Sequence, residues 1–465
     1  MTADSDHDAL PPTEQSAPEQ SAPEQSAPEQ SVPDAEYAPV WRLSAAAPAA
    51  VAVALLLCAG GVLFSRLELV LLALPLLISA ALAWEKRPPG AHAVQLRAQL
   101  SALPDRSSLG YTIALRMPEP AEQVQLRLTG LGEPIGDVLI GRVGAAAVHG
   151  VVPLVHSGPQ EFLRIEHRLI GADAGFISNI GPSVIVSRVI EPKYDPVSSL
   201  PVPPVLHGLT GTHPSRRAGD GGEFRDIHPF VPGDRLRRID WKATARRGSE
   251  SGELYVRRTT ADADATVLLV LDSRDDIGEN VDAWGTTSPL AQGLGSMDIA
   301  RQAAASLAAG YIRVGDRVGF HDLASSARAV QHGSGSRHLA RLVRAIEQAG
   351  PSGPVLYRVR PPIVVTGALI YVLSTFLDDE AGRMATLWRG AGHRVIAVDV
   401  LPAARLKHLT REQLVAHRIV LMERADRVRA LERIGVEVMR WQNLHAGVNR
   451  AAQLRTLSRP ARAAR

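Results

Sequence analysis

Thr266-Val-Leu-Leu-Val-Leu-Asp272 is a short apolar run, rich in Leu and Val, that ends on a carboxylate. Such a run suits a strand buried on both faces, as parallel sheets require. From there the chain alternates. Further strand candidates are Arg317–Phe320, Ala368–Leu373, Val395–Val400 and Val436–Trp441. Helix candidates are Met297–Arg313, Arg337–Gln348, Glu380–Gly390, Arg411–Ile434 and Leu444–Thr456. Strand–helix alternation predicts a doubly wound, parallel α/β sheet over residues 265–456, with helices on both faces.

The segment before this run, residues 201–264, is basic, and its block from Gly222 to Gly248 is dense in charge of both signs. Pro232-Gly233 signals a turn. Asp234 is placed to cap a short helix through backbone N–H groups. Asp240 and Arg246 are placed to brace a second turn, and Trp241 is the expected apolar anchor. Thirteen positions of the block (Phe224, Arg225, Pro232, Gly233, Asp234, Arg238, Ile239, Asp240, Trp241, Lys242, Ala245, Arg246 and Gly248) carry a resemblance to the family known as domain of unknown function number fifty-eight. Asp226-Ile227-His228 and Thr244 depart mildly from its pattern. Gly315-Asp-Arg-Val-Gly-Phe320 and Gly333-Ser-Gly-Ser-Arg337 resemble it again, so the likeness runs from about Arg216 to Leu356.

The resemblance implies a von Willebrand A-like identity for the sheet that follows, and a partner rather than a reaction. Such proteins are associated with AAA+ ATPases of the MoxR type, in chaperone-like or complex-assembly roles. The A-like domain would then be an adaptor, with the ATP chemistry left to the partner. The block reads as a rigid, partly exposed platform against that domain. Arg225, Asp234, Arg238, Asp240, Trp241, Lys242 and Arg246 are its candidate binding residues, since charged forks and an exposed Trp suit a protein interface.

The resemblance also raises the question of a metal. In von Willebrand A domains the first strand ends in Asp-x-Ser-x-Ser, which holds Mg²⁺ with a Thr and an Asp from later loops. Here the run is Asp272-Ser-Arg-Asp-Asp276. Asp272 matches, Asp276 stands at the second Ser position, and Ser374 follows the later strand, with Asp378 four residues on. Asp272, Asp276 and Ser374 are thus the candidate ligands of a degenerate Mg²⁺ site. Arg274 argues against it: a guanidinium has no lone pair to offer and repels a cation. It is placed to pair with Asp272 and imitate the ion.

Length and charge supply the rest. The 465 residues suggest two or three domains, and a single cysteine, Cys58, rules out an intramolecular disulfide framework or a Cys-based zinc site. Net charge is +3, yet residues 1–40 hold nine acids and no Lys or Arg, leaving +12 on the remainder. In that acidic tail Ser-Ala-Pro-Glu-Gln repeats at 16–20, 21–25 and 26–30, which predicts an extended, disordered segment. Ala45–Phe64 and Leu69–Trp84 then read as a transmembrane helical hairpin over 41–87, with Trp41 and Trp84 at the interface and both ends in the cytoplasm. Short alternating runs such as Tyr111–Arg116, Val124–Leu128 and Val184–Val189 predict a β-sandwich over 91–200. Residues 457–465 form a short basic tail.

Acids alternate with the bases of the 216–258 block and aromatics are few, so no nucleic-acid role is expected. The histidines show no metal-ligand spacing, and no nucleophile–base set stands out. The expected function is a membrane-anchored, non-enzymatic adaptor. The rival is an extracytoplasmic, Mg²⁺-dependent binding module of the cell envelope.

Overall fold

The computed structural model describes residues 39–86, 94–103, 107–119, 121–142, 146–207, 211–247, 252–284, 293–325, 329–351, 357–442 and 446–459. The acidic repeats of 1–38, and residues 460–465 of the basic tail, lie outside the described residues. The structure is multidomain, with an amino-terminal apolar helix pair and sheets of mixed type.

β1 (Trp41–Leu43) leads directly into α1 (Ala46–Leu63), and α2 (Leu67–Glu85) returns beside it. Both helices are long and apolar enough to cross a membrane. Leu55, Leu56, Val62, Leu63, Leu71 and Leu72 are all exposed, an arrangement that water penalises and an apolar solvent does not. The helices approach closely at Gly61, where a Cβ would stand 2.6 Å from Val70. Small residues permit this kind of crossing in apolar surroundings.

The next strands are β2 (Gln95–Ala102), β3 (Ser108–Arg116), β4 (Gln123–Gly130), β5 (Glu133–Gly141), β6 (Ala146–Pro153), β7 (Gly158–Ile170), β8 (Phe176–Ser178) and β9 (Val184–Ile190). They form a three-stranded sheet, β2-β3-β6, and a six-stranded sheet, β1-β8-β7-β4-β5 with β9 also on β7, and every pairing is antiparallel. The two-residue period is visible in β4, where Val124, Leu126 and Leu128 are buried and pack with Ile113, Phe162 and Ile165 of the other strands. β1 pairs with β8, and Ser44 N–H donates to the Gly175 carbonyl at 2.9 Å. Gly175 abuts Ala83 of α2, and Trp84 packs on Phe176. Both ends of the helix pair therefore rest on the sandwich.

β10 (His213–Pro229) and β11 (Tyr255–Ala263) make an antiparallel ribbon with register shifts around 214–226. At its far end sits the seven-residue helix α3 (Trp241–Arg247). β11 runs on into β12 (Thr266–Leu271), the centre of the second sheet. Then follow α4 (Ser296–Arg313), β13 (Arg317–Asp322), β14 (Val330–Gly333), α5 (Ser336–Gln348), β15 (Leu369–Ser374), α6 (Glu380–Gly390), β16 (Arg394–Asp399), α7 (Arg411–Arg433), β17 (Glu437–Arg440) and α8 (Ala446–Ser458).

The sheet order is β14-β13-β12-β15-β16-β17, parallel except for the edge strand β14. Every residue of β12 and β15 is buried. On one face Leu269, Leu271, Tyr371 and Val398 pack under α4, α5 and α8; on the other Val270, Val372 and Ala397 pack under α6 and α7. Each fully buried Leu, Val or Ile contributes about 1.5–3 kcal/mol, which explains the continuous apolar runs. The expected strands and helices of 265–456 are all present, with no end moved by more than two residues.

Candidate functional site

Two places collect the residues singled out by sequence: the crevice at the carboxyl ends of β12, β13 and β15, and the far end of the ribbon.

In the crevice, β12 sends its crossover one way to β13, while β15 lies on its other side. This is the switch point at which open α/β sheets hold ligands. Asp272 and Ser374 do meet there: the Ser374 hydroxyl donates to Asp272 Oδ2 at 2.8 Å. Arg274 fills the remaining space. Its Nε and Nη2 each donate to Asp272 at 2.8 Å, and its Nη1 lies 2.7 Å from Asp378 Oδ2. Burial would lower the Arg274 pKa, but its bonds and charges with Asp272 and Asp378 outweigh burial and raise it. Asp276 is turned elsewhere. Its carboxylate accepts from Met297 N–H at 3.1 Å, at the start of α4, and burial pushes it up to about 6.

These donors do not fit a divalent cation. Both Asp272 oxygens are committed to the guanidinium, Ser374 Oγ also accepts from Phe376 N–H, and Asp276 is a helix-start acceptor. Among the described residues no group of three or more His, Cys, Asp or Glu is arranged to hold a metal.

The crevice has further members that the sequence did not signal. Ser273 donates to Asp322 at 2.6 Å and Thr375 donates to Asp275 at 3.1 Å. Arg424, 7% exposed on α7, donates to the Thr375 carbonyl and pairs with Asp399. Burial, reinforced by the Asp272 charge and opposed by the Thr375 bond, pushes Asp275 up to about 7. Its folded pKa is above the unfolded value, so the contribution is fully present below about pH 4 and lost as pH rises through 7. Relative to wild type, Asp275→Asn is expected to gain about 2–4 kcal/mol between pH 4 and pH 8. Denaturant titrations at several pH values check this; parallel pH profiles for the two proteins would contradict it.

At the ribbon end the predicted residues divide into braces and surface. Asp240 caps α3, accepting from Ala243 N–H at 2.9 Å, while its own N–H donates to the Tyr255 carbonyl. Asp234 closes the Pro232-Gly233 turn by accepting from Val231 N–H, rather than capping a helix, and lies 3.8 Å from Arg258. Arg238 donates to the Gly219 carbonyl at 3.1 Å, and Thr244 Oγ1 accepts from Tyr255 N–H. Arg225 is exposed, 3.6 Å from Asp226; Lys242 and Arg246 are exposed too. Trp241 is 68% exposed, so it does not anchor the block as expected. A two-stranded ribbon offers too little surface to cover it. Leu236, Phe224 and Val231 are also exposed, with Arg257 over the Phe224 ring at 5.2 Å.

The ribbon base is fixed to the sheet. Buried Asp316, from the Gly315-Asp-Arg-Val stretch, accepts from Ala265 N–H at 2.9 Å and pairs with His213 at 3.0 Å. The Asp316 bond raises the His213 pKa, against burial. Gly315 has φ +89, a conformation that favours glycine. β11 carries the platform away from this base over nine residues, about 30 Å at strand rise.

Residues 226–408 match the family model described as "Protein of unknown function DUF58". The match runs from the ribbon through α3 and the sheet to beyond β16, and the chain carries a region of the DUF58 family over that span. Among curated proteins none matches the chain.

Proposed function

We propose that this chain is a membrane-anchored, non-enzymatic adaptor whose von Willebrand A-like sheet domain presents the platform to a MoxR-type AAA+ ATPase during protein-complex assembly. The observation that carries the reading is Trp241. It is a large aromatic held in the open by a helix capped by Asp240, on a ribbon pinned by Asp316 and His213. An exposed aromatic among arginines, on a braced scaffold, is the composition of an interface hot spot. The sheet order, with one antiparallel edge strand, supports the A-like assignment. The crevice supports the non-enzymatic one, because its polar groups are spent on each other. The apolar helix pair supports a membrane anchor; the proposal that the large carboxyl-terminal part lies in the cytoplasm rests on the flanking charges, Arg42 and Glu85-Lys86-Arg87.

Affinity purification from detergent-solubilised membranes, wild type beside Trp241→Ala, tests this. Wild type is expected to retain a AAA+ ATPase, and the variant to lose most of it, an effect of about 2 kcal/mol or more for a hot-spot Trp. Retention of no ATPase by wild type, even after crosslinking, would remove the adaptor reading.

A further inference from the structure

The amino-terminal stretch and the platform carry opposite charge and start from one side of the helix pair. Residues 1–38 contain nine acids and no Lys or Arg. They join the described structure at Pro39, just before β1, which is paired to β8 of the sandwich. Because the helix pair begins and ends on the sandwich, this stretch leaves from the same side as the ribbon, whichever way the pair is set. On the platform, residues 235–247 hold six Lys or Arg against one acid, Asp240, which is spent as a cap. Arg237, Lys242, Arg246 and Arg247 are exposed, and among the described residues none of the four makes an ion pair.

We propose that the platform is docked by the chain's own acidic amino-terminal segment. Each repeat places a proline beside a carboxylate: Pro18-Glu19, Pro23-Glu24 and Pro28-Glu29. Proline-rich chains dock on exposed aromatic side chains, here Trp241, and carboxylates pair with guanidinium and ammonium groups. At about 3.1 Å per residue, successive repeats lie about 16 Å apart, so one or two repeats cover α3 at a time. Thirty-eight residues extend to about 125 Å at most, about four times the length of the nine-residue strand β11. Tethering supplies an effective concentration of the order of millimolar, so a contact too weak to retain a free peptide still occupies the platform. Any partner taking the same face must displace the segment. That consequence rests on the proposed function; the contact itself does not, and a failed ATPase capture leaves it standing.

Zero-length carbodiimide coupling on the full chain in detergent or nanodiscs tests the contact. The chain has four lysines: Lys86, Lys193, Lys242 and Lys407. At low salt, Lys242 is expected to be joined to Glu19, Glu24 or Glu29, exceeding tail links to Lys407 by roughly fivefold or more. The link should vanish at about 0.5 M salt, where screening is short-ranged. It should also vanish in the triple variant Arg237→Glu, Arg246→Glu, Arg247→Glu, which keeps Lys242. The Lys86–Glu122 pair, 3.7 Å apart, is an internal control that persists in that variant. Tail links absent from Lys242, spread evenly over the four lysines, or unchanged in the variant would overturn the proposal. A mixture of isotopically light and heavy chains is expected to give links within one chain; links mainly between chains would overturn self-docking.

Discussion

Arg274→Ser is expected to lower stability by about 3–5 kcal/mol, the cost of leaving a buried carboxylate without its partner. Asp272 is 5% exposed, and the substitution removes the guanidinium that satisfies both its oxygens. Only the Ser374 hydroxyl remains. Millimolar Mg²⁺ should leave wild type unmoved, because the guanidinium already occupies the cation's place, and should recover part of the loss in the variant, whose opened crevice presents oxygen donors. Denaturant titrations of both proteins with and without Mg²⁺ check this. Stabilisation of wild type by Mg²⁺, or a variant as stable as wild type, would contradict the account.

The second large effect is expected where the sandwich meets the sheet domain. Asp298, in the first turn of α4, accepts from His156 Nδ1 at 2.7 Å, Ser157 N–H at 2.7 Å, Ser157 Oγ at 3.0 Å and Gly295 N–H at 2.9 Å. Arg301, one turn on, donates to the Ser157 and Ala349 carbonyls. Gly158, at φ +83, lets the sandwich loop lie against that guanidinium, where a Cβ would stand 2.5 Å from Cζ. Burial alone would raise the Asp298 pKa, but the His156 bond and charge outweigh it, with the backbone donors, and lower it. Its contribution is therefore present above about pH 4 and lost as pH falls further.

Asp298→Ala strands four donors and is expected to cost about 3–5 kcal/mol; Asp298→Asn keeps acceptor capacity and should cost about half of that. Calorimetry should show the sandwich and sheet transitions moving apart in the Ala variant. A single unshifted transition would show that this buried contact does not couple the two.

The sheet was legible because its strands are buried on both faces. β12 and β15 have no solvent side, so their sequences carry no polar alternation to confuse with a helix. The helix pair was legible for the same reason, as uninterrupted apolar runs. β10 was not: His213–Pro229 contains Gly219, Gly221 and Gly222 and much charge, and its described side chains lie exposed or half-buried, Ser215 apart, in a ribbon with shifted register. β14 is a four-residue edge strand, too short to show a period.

In the crevice, residue type was informative and direction was not. Arg274 beside Asp272 could be read as a fork from chemistry alone. Spacing along a turn does not say which way a side chain points, and Asp276 points to α4 instead. The contact of His156 with Asp298 spans 142 positions, and its only local sign is an acid in a helix's first turn. Trp241 was misjudged as an anchor because a buried and an exposed Trp look alike in sequence. Only the thinness of the ribbon decides between them.

Site-specific photocrosslinking tests the central claim most directly. A photoreactive phenylalanine derivative replaces Trp241 in one protein and Val415, exposed at 53% on α7, in another. Both are irradiated in intact cells, and the captured proteins are identified by mass. Capture of a AAA+ ATPase at position 241, with little or none at 415, is the expected result. No ATPase at 241, or equal capture at both positions, would contradict docking through the platform.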